Sequence, residues 1–542
     1  MEVYNDIPSP CPSISLSVKT IIFPLLVLQR NFPKLHHLNL SKLLCSICHF
    51  SSQPQSFKMD QATTLQACRI AVERYRDIWY QDTTTDPDHF WQKSNQMDSY
   101  LRFAALATKV FGAPQYWYQV LDTTHNSQTT MLVDYWNCTT KAMNGDGVWT
   151  DDFGWGGIAC LTLAEYLKVN RPNSNPPWTA WRDLGIDCFD HMVKYWDAST
   201  DAIPVQHGIS NRPPNGESSD YAKNTVTNAN FMALSMHLYH FLKKYSDNSH
   251  PGKLKESIQY AYNQYLWFLG WINTLSNGTW IPYNYFHELT AAPPAQPSAA
   301  MLEERPVAWP PGTYPVTVHP PFTPSSSWSG DQGLFLNACS LLLTHSEDLS
   351  LIPLAPGEIT VVRENLTKWM KFISNGVYLA LTSNTTDNVL RESPFGNLFN
   401  GDPNDYMCGR GVFSRFINEE ETRDAFNSIS QPLSMFNNCF RDTAKCIYEG
   451  RDTDDPDNKV NQLSARWNPQ NDRAAYLHFV EVWRCGDPSL SWKVAPLDSD
   501  VGPIWRNYCM MMGFDVYGAW LRTSPWWTLA TQGETNGIEE KN

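Results

Sequence analysis

The chain has 542 residues, 42% hydrophobic and 18% charged, with 22 Trp, 24 Tyr and 25 Phe. That aromatic content excludes a disordered chain, which lacks the bulky apolar groups that offset ordering entropy. No run reaches the roughly 18–20 apolar residues needed to cross a bilayer. The net charge of −14 argues against a nucleic-acid binder, which neutralises phosphates with Lys and Arg.

Charge is unevenly spread. Residues 1–58 hold Lys19, Arg30, Lys34, Lys42 and Lys58 against Glu2 and Asp6, net +3, which leaves −17 for the remainder. An acidic, Trp-rich body suits a neutral polyol better than a polyanion. The first 58 residues are studded with Pro8, Pro10, Pro12, Pro24, Pro33 and Pro54 and show no sustained helical period. Ile21 to Leu28 has the apolarity of a signal peptide, but a net negative stretch precedes it and no small-residue cleavage site follows promptly. The segment 1–58 is therefore expected to be a disordered extension or a mis-assigned start, with Met59 opening the folded chain. Ten of the 13 Cys lie beyond it, and Cys439 and Cys446 are close enough in sequence to permit a disulfide. With sequons at Asn137, Asn277, Asn365 and Asn384 they tilt the expected location towards secretion and leave an intracellular one open.

From Met59 on, apolar residues recur at i, i+3, i+4 and i+7. The period predicts helices near 61–80, 95–111, 128–142, 153–169, 179–197, 222–244, 253–273, 331–345, 360–380, 409–428, 470–484 and 505–522. Between them lie loops dense in Pro, Gly, Asn and Asp at 171–177, 199–220, 275–330 and 391–407. A dozen helices without alternating strands exclude Rossmann and TIM-barrel folds. The expected fold is all-α, six helical hairpins closed into an (α/α)6 barrel over residues 59–530, with long Pro-rich loops at one end and a polar tail at 531–542.

The chemistry concentrates in "NGDGVWTDDFGWGGIACLTLAEYLKV", residues 144–169. Asp151 and Asp152 precede a helix, where a carboxylate caps unpaired N–H groups and meets a favourable dipole. Trp149, Phe153 and Trp155 flank them, flat faces on which sugar rings stack. Adjacent carboxyls also meet the need of a retaining glycosidase for a nucleophile and an acid/base about 5–5.5 Å apart. Both readings, cap and catalytic pair, stand on the residues alone. His237 and His240 lie three apart on an apolar helix with no convergent acid, and are expected to be packing residues rather than metal ligands. Arg415 is expected to be an ion-pair partner, and Trp526-Trp527 to be packing rather than a sugar platform.

The Asp-Asp stretch resembles the motif of glycoside hydrolase family 76, the α-1,6-mannanases. Four further segments are similar to that family in the same order: "FWQKSNQMDSYLRFAAL" (90–106), "YAKNTVTNANFMALSMHLY" (221–239), "WSGDQGLFLNACSLLL" (328–343) and "MCGRGVFSRFI" (407–417). The resemblance spans about residues 60–430. It implies an (α/α)6 barrel, retention of configuration, Asp151 as nucleophile and Asp152 as acid/base. It also implies sugar contacts from Trp91, Asn95, Asn228, Asp331, Gln332 and Arg410, beside the aromatic frame Trp149, Phe153 and Trp155. No metal and no cofactor are expected. The expected partner is a polysaccharide or oligosaccharide substrate, with no nucleic acid and no membrane span, and the chain is expected to be a monomer. Gly156, where many members carry a second Trp, and the long 275–327 insertion depart from the pattern and put the α-1,6-mannan specificity in doubt. The alternatives are a transglycosylase on mannosyl glycans, a sugar epimerase or isomerase on a similar toroid, and a non-catalytic glycan-binding protein.

Overall fold

The computed structural model describes residues 59–81, 90–122, 124–125, 129–145, 148–196, 208–209, 211, 222–276, 302, 307–308, 328–382, 388–390, 408–449 and 502–539. By its contacts the chain divides into Met1–Lys58 and Met59–Asn542; the second unit is described here.

Among the described residues, twelve helices alternate between two shells. The inner six are α2 (Phe90–Phe111), α5 (Thr150–Asn170), α7 (Thr225–Lys244), α9 (Ser329–Thr344), α11 (Gly409–Ile417) and α14 (Gly502–Thr523). Each packs on the next, and α14 packs back on α2, so the ring closes. The outer helices that lead into them are α1 (Gln61–Gln81), α4 (Met131–Asn144), α6 (Trp178–Val193), α8 (Lys253–Ser276), α10 (Glu358–Thr382) and α13 (Asn437–Glu449). Short α3 (Pro114–Tyr118), α12 (Glu420–Ser428) and terminal α15 (Pro525–Glu539) pack outside this scheme. The expected (α/α)6 barrel is thus the observed architecture. Extended structure among the described residues is confined to two antiparallel pairs, Thr124–His125 with Thr129–Thr130 and Ala222–Lys223 with Val307–Ala308, and the bridge Trp196–Ile209.

The two shells follow from sequence. Helices α5, α7 and α9 are apolar around most of their circumference and buried on all sides, as a helix enclosed by neighbours must be. This corrects the expectation of a one-sided helix after Asp152: it is a stave of the inner wall. Close approach of the staves requires small residues. A Cβ at Gly333 of α9 would lie 2.6 Å from Cα of Phe413 on α11, and one at Gly156 of α5 would lie 2.1 Å from Cζ of Phe90. The Phe90 ring fills the space above Gly156, so any side chain there would have to displace it.

The described helices depart from the expected ones at 409–428 and at Asn437–Glu449. The stretch 409–428 is two helices, broken between Ile417 and Glu420. The sixth outer helix is α13, "NNCFRDTAKCIYE", a segment polar on average whose few apolar residues fall on one face. The helix expected at 470–484 lies outside the described residues. Trp526 and Trp527 stand in α15, where Trp526 meets Trp520 edge-on at 5.7 Å and Arg522 lies 4.5 Å from the Trp527 ring, a packing role as expected. Cys68, Cys138, Cys160, Cys188, Cys339, Cys408 and Cys439 are buried free thiols. No described helix is long and apolar enough to cross a membrane.

Because Phe413 presents backbone rather than a side chain to Gly333, Gly333→Ala is expected to destabilise the barrel by about 1–3 kcal/mol. Gly513→Ala, where a Cβ meets nothing within 4 Å, is expected to be neutral or stabilising by up to about 1 kcal/mol. Denaturant unfolding followed by circular dichroism checks the pair; equal midpoints for the two variants would contradict the packing described.

Candidate active site

Because each hairpin runs from outer to inner helix, all six inner helices point the same way. Their N-termini converge on one mouth of the barrel, where the described ends of the connections into α7, α9 and α11 also lie. The connections leaving inner helices at the other end, such as 171–177 and 245–252, are short. Each N-terminus carries partial positive charge and unpaired N–H groups, so the mouth favours anionic side chains and oxygen-rich ligands.

Asp151 and Asp152 sit in the first turn of α5. Asp152 is 6% exposed, and its Oδ2 accepts the N–H of Trp149 at 3.1 Å, so it does cap the helix. Asp151 is half-buried, and its own N–H donates to Oδ1 of Asn211 at 3.4 Å. Trp149 keeps a broad face open, 45% exposed, beside the pair. The rest of the expected aromatic frame is enclosed. Phe153 is buried with its ring stacked on His191 at 3.7 Å, and Trp155 is buried with its ring 6.4 Å from that of Phe416. Neither offers a face to a sugar, because α5 turns them into the wall; that expectation is corrected.

The other expected sugar contacts lie in the first two turns of inner helices, with side chains engaged within the protein. Asn95 donates to the carbonyl of Trp91 at 3.1 Å and accepts from Nη2 of Arg415 at 2.5 Å. Asn228, fully buried, accepts the N–H of Ile209 at 2.8 Å and donates to its carbonyl at 3.1 Å. Gln332 does the same to Leu302, at 2.8 and 3.0 Å. Arg410 donates to the carbonyl of Leu390 at 2.9 Å, while Thr443 accepts the Leu390 N–H at 2.9 Å. Ile209, Leu302 and Leu390 are buried residues of the three connections that enter α7, α9 and α11. Each is held at both its N–H and its C=O. Asn228, Gln332 and Arg410 therefore each hold a residue of the connection before their own helix. Asp331 is fully buried at the start of α9, and Trp91 is half-buried at the start of α2.

Below the mouth, the lumen holds a charged network. Arg415 donates to the carbonyl of Asn95 at 3.0 Å and to Ser99 at 2.6 Å, and pairs with Asp98 at 3.4 Å and Asp515 at 3.8 Å. Arg102 pairs with Asp98 at 2.8 Å and with Glu419. Burial raises the Asp98 carboxyl, but Arg102 and Arg415 outweigh it and hold the group below its usual range. Burial pushes Glu419 up to about 7 against the opposing pull of Arg102, and Asp515 up to about 6 against that of Arg415. His237 lies 3.0 Å from Oδ1 of Asn337 and is driven down to about 3 by burial; Asn337 in turn donates to Glu419 at 2.8 Å. His240 contacts His345 at 3.2 Å. Among the described residues no group of three or more His, Cys, Asp and Glu could hold a metal ion. Arg102, His237, His240 and Glu419 also line a cavity of about 320 Å³ between the C-terminal halves of the inner helices, away from the Asp pair. Asn211, Arg102 and Glu419 were invisible in the sequence: an Asn in a Pro-rich loop and an Arg–Glu pair 317 positions apart carry no distinguishing pattern.

The chain is similar in sequence to a mannan endo-1,6-alpha-mannosidase. That relative, DCW1 of Saccharomyces cerevisiae, is 25% identical over 243 residues, which are 42% of this chain and 45% of its own. The match thus covers less than half of either protein. No family model matches the chain. Among solved structures, the GH76A alpha-1,6-mannanase from Salegentibacter sp. HEL1_6 aligns with 84% of this chain and 100% of its own, with a TM-score of 0.45 and 13% identity. Dfg5 from Chaetomium thermophilum, in complex with glucosamine, aligns with 86% of this chain and 92% of its own, with a TM-score of 0.45 and 14% identity. The curated relative carries in its name the activity of the family that the five segments resemble.

The buried Glu419 gives the network a pH signature. Its folded value of about 7 exceeds its ordinary 4.5, so between these pH values the folded chain keeps a proton that the unfolded chain has lost. Stability from this group is fully present below about 4.5 and lost as pH rises through about 7. Glu419→Gln removes the titration, so its unfolding midpoint relative to wild type is expected to rise between pH 5 and pH 8, by an amount on the order of 1–3 kcal/mol. Thermal unfolding of both proteins at the two pH values checks this; a pH-independent difference would contradict it.

Proposed function

We propose that the chain is a retaining glycoside hydrolase acting on α-1,6-mannosidic linkages, with residues 59–530 as the catalytic unit. The observation that carries the reading is the adjacent Asp151 and Asp152 at an inner-helix N-terminus in the mouth of the barrel, beside the open face of Trp149. The sequence match to a mannan endo-1,6-alpha-mannosidase supports the substrate class, and an oligosaccharide or polysaccharide is the proposed partner. The reaction needs only the two carboxyls. Asp151, the more exposed of the two, attacks the anomeric carbon while Asp152 protonates the leaving oxygen. Asp152 then takes a proton from water, which opens the glycosyl ester on Asp151 and releases the sugar with its original configuration. Trp149 supplies a face for a sugar ring next to the cleaved bond.

Asp151→Asn and Asp152→Asn are each expected to lower kcat on α-1,6-mannan roughly 10³-fold or more, with the far-ultraviolet spectrum and unfolding midpoint close to wild type. Reducing-end release from mannan and mannooligosaccharides measures it. Wild-type turnover that survives either substitution would remove the pair from the chemistry. A folded wild type without turnover on any α-mannan would overturn the proposed substrate class.

A further inference from the structure

Asn228 has no valence left for a sugar. A neutral amide offers two acceptor sites on oxygen and two N–H donors, and all four are used. Oδ1 accepts from the Ile209 N–H and from Nε2 of Gln264 at 3.1 Å, and Nδ2 donates to the carbonyls of Ile209 and of Asn224, the latter at 2.8 Å. The register of the segment it grips is fixed from two further sides. Gly208, at φ +83°, lies against Trp267, where a Cβ would come within 2.3 Å of the indole, and Ile209 bridges to Trp196. Two residues on, Asn211 is 9% exposed, and its Oδ1 meets the N–H of Asp151. That N–H belongs to the first turn of α5, where the helix itself supplies no acceptor.

We propose that Asn228 and Asn211 form a positioning relay that sets the first turn of α5, and with it the line along which the Asp151 carboxylate meets the reacting carbon. Asn228, on the neighbouring inner helix, fixes the register of residues 208–211; Asn211 passes that register to the Asp151 backbone. Neither touches the sugar. The relay rests on the proposed role of Asp151 and makes a claim of its own. The approach of the nucleophile is governed by a connection clasped to the next helix, and misplacement by about 1 Å costs up to about 100-fold in rate.

The test uses the full chain with Asn211→Ala, Asn228→Asp, which keeps an acceptor for the Ile209 N–H and loses the donors, and the double variant. Asn228→Ser replaces Asn228→Asp if the buried charge prevents folding. Hydrogen exchange by mass spectrometry follows peptides covering 148–153 and 208–211, beside kcat and KM on a mannooligosaccharide. The relay predicts that Asn211→Ala speeds exchange in 148–153 and lowers kcat about 10-fold or more with KM within about twofold. The Asn228 variant should speed exchange in both peptides. The double variant should fall well short of the product of the single losses, because both residues act through one contact. Losses that multiply, a rise in KM at constant kcat, or an Asn228 variant that leaves 148–153 unchanged would overturn it. If the wild type proves inactive on mannan, the functional reading fails, and exchange in 148–153 still decides whether the register is transmitted.

Discussion

One guanidinium closes this barrel. Arg415 on α11 binds Asn95, Asp98 and Ser99 of the first inner helix and faces Asp515 of the last. The contact with Asn95 joins residues 320 apart in the chain. An arginine buried this deeply is tolerable only because carboxylates and hydrogen-bond acceptors surround it, and a broken partner would leave an uncompensated charge. Arg102, two turns along α2, extends the arrangement to Glu419, and Glu419 to Asn337 of α9. The lumen is therefore a polar lattice strung between helices whose outer faces are apolar, and that lattice specifies which helices meet.

Closure of the ring dictates where chemistry can occur. Once every hairpin enters from the outer shell, six helix N-termini share one mouth, and a carboxylate in a first turn there meets the positive end of its helix. Asp152 serves the helix as a cap while standing beside Asp151, so capping and the proposed catalytic role are compatible in one residue. The first-turn amides show the opposite economy. Asn228 and Gln332 occupy equivalent positions, the fourth residue of α7 and of α9, and each clasps one residue of the connection that precedes its own helix. The walls of the mouth are thus fastened to the same helices that form its floor.

How much of this was legible in the sequence depends on whether the signal is periodic. Apolar recurrence located eleven of the twelve helices that form the shells, and the absence of alternating strands selected the class. It missed α13, where Cys439, Phe440, Ala444, Ile447 and Tyr448 make a narrow stripe in a polar segment, because such a helix depends on the neighbour it packs against. The Asp pair stood out by chemistry and context. Residue type alone could not separate a sugar ligand from a loop anchor: the resemblance implied sugar contacts from Asn228, Gln332 and Arg410, whose side chains also bind backbone groups about 20–30 residues away in sequence. For the same reason Phe153 and Trp155 read as a sugar frame, although the helical turn carries them into the wall.

The central claim is double displacement through Asp151 and Asp152. Proton nuclear magnetic resonance of the first-formed product from α-1,6-mannooligosaccharides, recorded before mutarotation, tests it most directly. The account predicts that the new reducing end appears first as the α anomer and equilibrates later. A product that appears first as the β anomer would contradict it, because water would then have attacked the sugar directly and neither carboxylate would have carried it.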